Sequence, residues 1–442
     1  MICISCLTKK YLSLFSLNKM MTQRKRGIVK IKPVYVGIYH YNYCYGSVCS
    51  PDIKGTPPVK RLDPKEIEKR AYKMVEKFKK NLNLDFVEID KPFIITEHRH
   101  VRELASELTY DTDAILQGNL GGTPLIDYTL KLYALPIIRK PDPLVLRALR
   151  VKKFLKESKF LYIGEIPSFS APNGPWDFFK VQKRFGIRFK HIDSGEFFKV
   201  FDSFNKDEVK KELVKWKESF EEILEPTEDD LLEATKVYLT LKYLLKREDA
   251  NAVTVNCGRF TEVRPVVPCL AFNRLIDEGY VCGCEGDITA LLSSLILHSV
   301  SGNSVMMGNF GYRPGMFEAR EGEVTIEHDI VPLSMTTRKF TIRDYHGRRF
   351  GVTGFAPIKP DQPVTLFNMD SSLEEATAIE GKVKESFDGI HCRIIVRISV
   401  DGDIEKIPEI LVGSQHISMT FGHWLKELKE VGKLLNIKIN HL

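Results

Sequence analysis

The sequence predicts an α/β protein: two Rossmann-like, doubly wound domains followed by a β-rich, antiparallel, barrel-like C-terminal domain. Three observations carry that prediction. From residue 28 short apolar runs alternate with longer amphipathic ones, the βαβ rhythm of a mostly parallel sheet covered on both faces. The rhythm restarts near residue 150, and after about residue 310 it gives way to period-two alternation broken by turn residues. A chain of 442 residues has room for several compact units. The boundaries read as a tail at 1–27, α/β domains at 28–147 and 148–308, and the β-rich domain with a terminal helix at 309–442.

The tail, "MICISCLTKKYLSLFSLNKMM" over 1–21, carries an apolar patch too short to span a bilayer and without a small-residue cleavage site. It reads as an over-extended translation start or a loose tail. "VYVGIY" (34–39) reads as a strand, and "DPKEIEKRAYKMVEKFKKN" (63–81) as a helix capped by Asp63 and opened by Pro64. "DFVEI", "RELASELT", "DAILQG", "LIDYTLKLYA" and "LPIIR" continue the alternation. In the second round "KFLYIGE" (159–165) is a strand, "PWDFFKVQKRFG" (175–186) a helix closed by Gly186, and 206–247 a charged helical hairpin. "AVTVNC", a helix through "PCLAFNRLIDEG", the strand "YVCGCE", a helix over 288–301 and the strand "SVMMGNF" complete the second α/β unit. No sequence-level repeat relates the two rounds.

In the last third "GEVTIEHDIVPLSM", "RKFTIRDYHGRRFGVTGFAP", "QPVTLFNMD", "EGKVKES", "CRIIVRIS" and "IPEILVG" read as antiparallel β. "FGHWLKELKEVGKLLNI" is amphipathic, with apolar residues at 424, 425, 428, 431, 434 and 435, and should dock on a neighbouring surface.

Composition excludes several classes. The formal charge of +7 comes from Lys and Arg interleaved with acids, as in "KDEVKKELVKWKESFEE", so no one-sign stripe marks a nucleic-acid surface. Nine cysteines without regular spacing argue against a disulfide framework and for a reducing compartment. No run reaches eighteen apolar residues, so a cytoplasmic protein without membrane contact is expected. A G-x-G-x-x-G turn, a Walker loop, a G-x-S-x-G elbow and an H-E-x-x-H helix are all missing, which disfavours nucleotide cofactors and serine or zinc-peptidase chemistry.

The stretch "YVCGCEGDITALLSSLILHSVSGNSVMMGNF" (280–310) sets two carboxylates between an apolar strand and an apolar helix. A charge in such company is paired, bound to metal or placed at an element's edge. Glu285 follows the strand directly, where ligands of open α/β sheets sit. Asp287 reads as the N-cap of the next helix. Asn309 takes the matching place after the next strand, "SVMMG"; if the two strands are neighbours, Glu285 and Asn309 face one crevice. His328 shares a strand face with Val324, Ile326 and Ile330, and His416 one with Ser414, Ser418 and Thr420. Either histidine alone reads as a core or surface residue. Two imidazoles with a carboxylate and an amide oxygen would make a mixed N/O site suited to Mn²⁺ or a similar divalent ion.

"CEGDITALLSSLILHSVSG", "VMMGNF", "EHDIVPLSM" and "QHISMTFGHWLKELKEVGKLLNI" resemble, in order and spacing, the C-terminal half of the L-fucose isomerase-like family, which is related to the L-arabinose isomerases. "DAILQGNLGG", "LPIIRKPDP" and "KFLYIGEIPSF" are similar more loosely. The resemblance implies a metal-dependent aldose–ketose isomerase of a pentose or 6-deoxyhexose, using Mn²⁺ and assembled as a homo-trimer or hexamer. On that likeness Glu285 matches the acidic ligand and base, while His328 and His416 match the histidines that hold metal or substrate. His328 is closer to the arabinose-isomerase relatives. Where the family carries a second acid, this chain has Asn309, whose amide oxygen can ligate a cation but cannot take a proton. Glu285 would then act as the single base or recruit Asp287, Glu327 or Asp329. His40 after the first strand, Gln117 and Asn119 at the end of another, and Trp176 as a stacking surface are the candidate sugar contacts; Trp176 equally suits packing under its helix. Asn309 keeps two alternatives open: epimerisation or a lyase step on the same scaffold, and a non-catalytic sugar-binding protein.

Overall fold

The computed structural model describes residues 26–37, 63–96, 99–121, 124–166, 178–413 and 415–442. Its first sheet contains β1 (Val29–Gly37), β2 (Val87–Ile89), β3 (Phe93–Ile95), β4 (Thr112–Gly121) and β5 (Ile137–Ile138). The order is β2-β1-β4-β5, with β3 also on β1, and every pairing is parallel. Parallel strands covered on both faces are apolar throughout, and Val29, Ile31, Val34 and Val36 of β1 are buried. Around the sheet run α1 (Pro64–Lys80), α2 (His100–Glu107), α3 (Pro124–Lys131) and α4 (Pro143–Glu157). The Asp63 side chain accepts from Lys65 N and Pro64 fills the first turn of α1, as the sequence predicts. Ile67, Ala71, Val75 and Phe78 form its buried face.

The second sheet begins with β6 (Lys159–Ile163), followed by α5 (Phe178–Phe185), β7 (Arg188–Ile192) and α6 (Ser194–Phe201). Next come α7 (Lys206–Lys217), β8 (Phe220–Ile223) and α8 (Glu228–Arg247). β9 (Ala252–Val255), α9 (Cys257–Val263), α10 (Cys269–Asp277), β10 (Val281–Gly283) and α11 (Ile288–Ser301) complete the region. Strand order is β10-β9-β6-β7, all parallel, so β10 is an edge. The expected hairpin over 206–247 is interrupted by β8, because its backbone is satisfied by parallel pairing with a segment far along the chain, Phe220 opposite Phe340. Local periodicity does not reveal such a partner.

The strand expected to finish the second α/β unit belongs elsewhere. β11 (Met306–Gly311) pairs antiparallel with β12 (Val324–His328) and with a strand near the C-terminus. It is not a neighbour of β10, and Asn309 lies within it rather than after it. The crevice imagined between two adjacent parallel strands is therefore replaced by a junction between sheet edge and barrel. β13 (Phe340–Arg343) and β14 (Thr353–Phe355) form a side sheet with β8. β15 (Pro363–Met369), β16 (Glu375–Phe387), β17 (Ile394–Val400) and β18 (His416–Phe421) complete the main one. The order β15-β18-β11-β12-β17-β16, together with the β15–β16 ladder, closes six antiparallel strands into a barrel. Val324, Ile326, Val364, Leu366, Ile379, Val396, Ile398, Ile417 and Met419 recur at alternate positions and are buried in one shared core. Each such burial stabilises by about 1.5–3 kcal/mol.

"IPEILVG", expected as a strand, forms instead a 3₁₀ turn (Ile404–Lys406) and the short helix α12 (Ile407–Ile410). Pro408 lacks the N–H a ladder needs and suits a first helical turn. The last helix, α13 (Leu425–Leu435), docks on α4 through Leu428 and Val431, in a core that also holds Val151 and Phe154. β19 (Lys438–His441) then adds parallel to β16, which the sequence did not predict. Among the described residues no helix is long and apolar enough to cross a membrane.

Candidate metal centre

The turn after β10 puts a carboxylate at the edge of the second sheet. Glu285 and Gly286 both take left-handed backbone, with φ of 60° and 67°. For a side-chain-bearing residue that conformation costs roughly 1–2 kcal/mol. At 286 only glycine fits, because a Cβ there would stand 2.6 Å from Tyr162 Oη. Gly286 N donates to Val255 O at 3.0 Å and Asp287 N to Cys284 O at 3.0 Å, so the turn is pinned to β9 and to itself. The Glu285 side chain is left 41% exposed, projecting from a strained and fixed backbone.

Asp287 caps α11, accepting from Ala290 N at 2.9 Å and Thr289 Oγ1 at 2.7 Å through Oδ1. Its other oxygen, Oδ2, accepts from His416 Nδ1 at 2.8 Å, and both side chains are fully buried. With Nδ1–H donated to a carboxylate, the Nε2 lone pair of His416 points the other way, the arrangement found behind metal-binding histidines. That nitrogen is 3.6 Å from Glu285 Oε2, and His328 Nε2 is 3.7 Å from Glu285 Oε1.

These separations are too long for hydrogen bonds. Two donors each about 2.1 Å from a shared ion, at tetrahedral angles, stand about 3.4 Å apart. One ligand atom from each of Glu285, His328 and His416 lies within 4.8 Å of the other two. His328 Nε2 is buried without a hydrogen-bond partner among the described residues, a cost that a bound cation removes. The donor set, two imidazoles and a carboxylate, fits a divalent ion such as Mn²⁺ or Zn²⁺.

The histidines are not equivalent. Burial disfavours charge on His328 and lowers its pKa, keeping the ring neutral. Burial acts the same way on His416, but the Asp287 hydrogen bond and charge, with Glu285, outweigh it and raise the pKa. His328 Nδ1 accepts from Asp329 N at 2.9 Å, which puts the proton of its neutral ring on Nε2. Ligation through Nε2 therefore requires that proton to move to Nδ1 in place of the Asp329 N–H bond, whereas the Asp287 bond already holds a proton on Nδ1 of His416.

Among the other candidates, Asn309 is the register partner of both His416 and Glu327, and its Oδ1 accepts from Gln415 Nε2 at 2.8 Å. Gln117 is buried inside β4 rather than at its end, held by Asp127 at 2.6 Å and Arg139 at 3.2 Å; Asn119 is exposed in the same strand. His40 and Trp176 lie outside the described residues. Asp287 sits behind His416, its oxygens committed to the cap and the ring. Glu327 is buried, which raises its pKa, and Asp329 is held by His346 and Arg393 N. Of the acids considered, Glu285 alone combines open exposure with both histidines. Sequence reading missed Glu165 and Asn256 at the carboxyl ends of β6 and β9, joined by Asn256 Nδ2 to Glu165 O at 2.8 Å. Their position directly after "KFLYIG" and "AVTV" was the available signal.

The family model of the L-arabinose isomerase central domain matches residues 176–301. That stretch carries Glu285 and Asp287 and ends with α11; His328 and His416 lie beyond it. No curated protein matches the chain.

Proposed function

We propose that this chain is a divalent-cation-dependent aldose–ketose isomerase acting on a pentose or 6-deoxyhexose. The observation that carries the reading is the meeting of Glu285, His328 and His416 at separations that suit one shared ion. The arabinose-isomerase match over the region that supplies Glu285 supports the same reaction class. The bound ion would polarise the sugar's carbonyl and hydroxyl oxygens and offset charge developing on them.

Glu285 takes the proton from C2 of the open-chain aldose and returns it to C1, while the O2 hydroxyl proton passes to O1; the product is the 2-ketose. Its partial exposure admits the sugar, and its fixed left-handed turn holds the carboxylate in place. His328 and His416 would hold the ion. Asp287 is a positioning residue that fixes the His416 tautomer. The presence of Asn309 instead of an acid favours one carboxylate for both proton transfers, and also leaves room for epimerisation at C2.

NMR of the Mn²⁺-loaded protein with a panel of aldoses in D₂O tests the reading. Ketose appearing with deuterium incorporation supports isomerisation. Deuterium at C2 with the epimeric aldose and no ketose redirects it to epimerisation, and neither signal across the panel removes it.

A further inference from the structure

One residue beyond His328, three side chains from three separate connecting segments converge a second time. Asp329 follows β12, His346 lies in the turn between β13 and β14, and Cys392 precedes β17. His346 Nε2 is 2.7 Å from Asp329 Oδ2 and 3.9 Å from Cys392 Sγ, and all three ligand atoms lie within 4.8 Å of one another. Neighbouring donors around a tetrahedral Zn²⁺ stand roughly 3.3–3.6 Å apart, a range that the two observed distances bracket.

The carboxylate is buried and already faces the imidazole. The Asp329 side chain is 2% exposed, and among the described residues its one ionisable side-chain partner is His346. Its other oxygen accepts from the backbone N of Arg393 at 2.9 Å, while the Arg393 guanidinium is turned to Asp344. A buried carboxylate beside an imidazole and a thiol supplies the donor types that a divalent cation recruits. His346 has left-handed backbone, φ 53°, and its ring stacks on Tyr345 at 3.8 Å, so it is held facing the other two. Its side chain remains 18% exposed, which gives an ion an entry path.

We propose that Asp329, His346 and Cys392 form a second divalent-cation site, of the Zn²⁺ or Co²⁺ class, clamping the end of β12 to the β13–β14 turn and the start of β17. It shares no residue with the first cluster and differs from it by a thiolate, the softer donor that selects such ions. The second site would bind its ion whether or not the first cluster isomerises a sugar.

Cobalt separates the two sites, because a thiolate ligand gives an intense near-ultraviolet charge-transfer band that nitrogen and oxygen donors do not. Metal-free full-length protein titrated with Co²⁺ should take up two equivalents, one of them accompanied by that band. Cys392→Ser and His346→Gln should each lose the band and keep one equivalent. Glu285→Gln should keep the band and lose the other equivalent. His346 lies in a partly exposed turn, so His346→Gln decides the matter if Cys392→Ser does not fold. No band at saturation in the unaltered protein, or a band undiminished in either variant, overturns the proposal.

Discussion

The turn after β10 and the wall of the barrel supply one cluster by opposite means. Glu285 is exposed and its backbone is left-handed, in a turn whose next residue, Gly286, leaves no room for a Cβ beside Tyr162. His328 and His416 are buried in regular strands, and His416 is locked to an equally buried Asp287. The difference assigns the roles. A group that moves protons must reach the substrate, whereas groups that hold an ion gain from rigidity and a dry surrounding.

The largest effect is expected from Glu285→Gln. Proton exchange at C2 should fall by about 10²–10⁴-fold, while the melting temperature of the metal-free protein stays unchanged, since the side chain is exposed and too far from either histidine for a hydrogen bond. A large loss of stability would mean that Glu285 is structural. On the barrel side, Asp287→Asn should weaken metal binding by about 10–100-fold, read by calorimetric titration, because the His416 tautomer is no longer fixed. Unchanged affinity would separate Asp287 from the site.

Gly286→Ala sharpens the account of the turn. A Cβ in left-handed backbone and against Tyr162 should destabilise the protein by roughly 1–2 kcal/mol, measured by denaturant unfolding, and lower turnover with it. Asn309→Asp should have the smallest effect, a rise of a few fold in metal affinity from one added negative charge beside His416. No rise, or a fall, would place Asn309 outside the ion's field.

Much of this architecture was legible locally. Asp63 with Pro64, Asp287 before an apolar run, and Gly186 at a helix end are chemical signals contained in a few residues, and each marks the terminus it predicts. The period-two pattern of "VTIEH" and "CRIIVRIS" likewise announced barrel strands. Pairing partners were not legible. β8 becomes a strand because of β13, and β11 joins the barrel instead of following β10, choices made by segments far apart in sequence. The metal centre divides in the same way. Glu285, His328 and His416 were visible as residue types at element ends, but the Asp287–His416 bond joins positions 129 residues apart. The Asp329, His346 and Cys392 cluster had no sequence signature at all, since its members come from three separate turns.

The central claim is that one ion is held jointly by the turn and the barrel. Pulsed electron paramagnetic resonance of Mn²⁺-loaded protein reads it directly through nitrogen couplings to the ion. The account predicts couplings from two imidazoles, reduced to one in His416→Gln and lost with the bound ion in Glu285→Gln. Bound Mn²⁺ without nitrogen coupling, or coupling unaffected by His416→Gln, would contradict it.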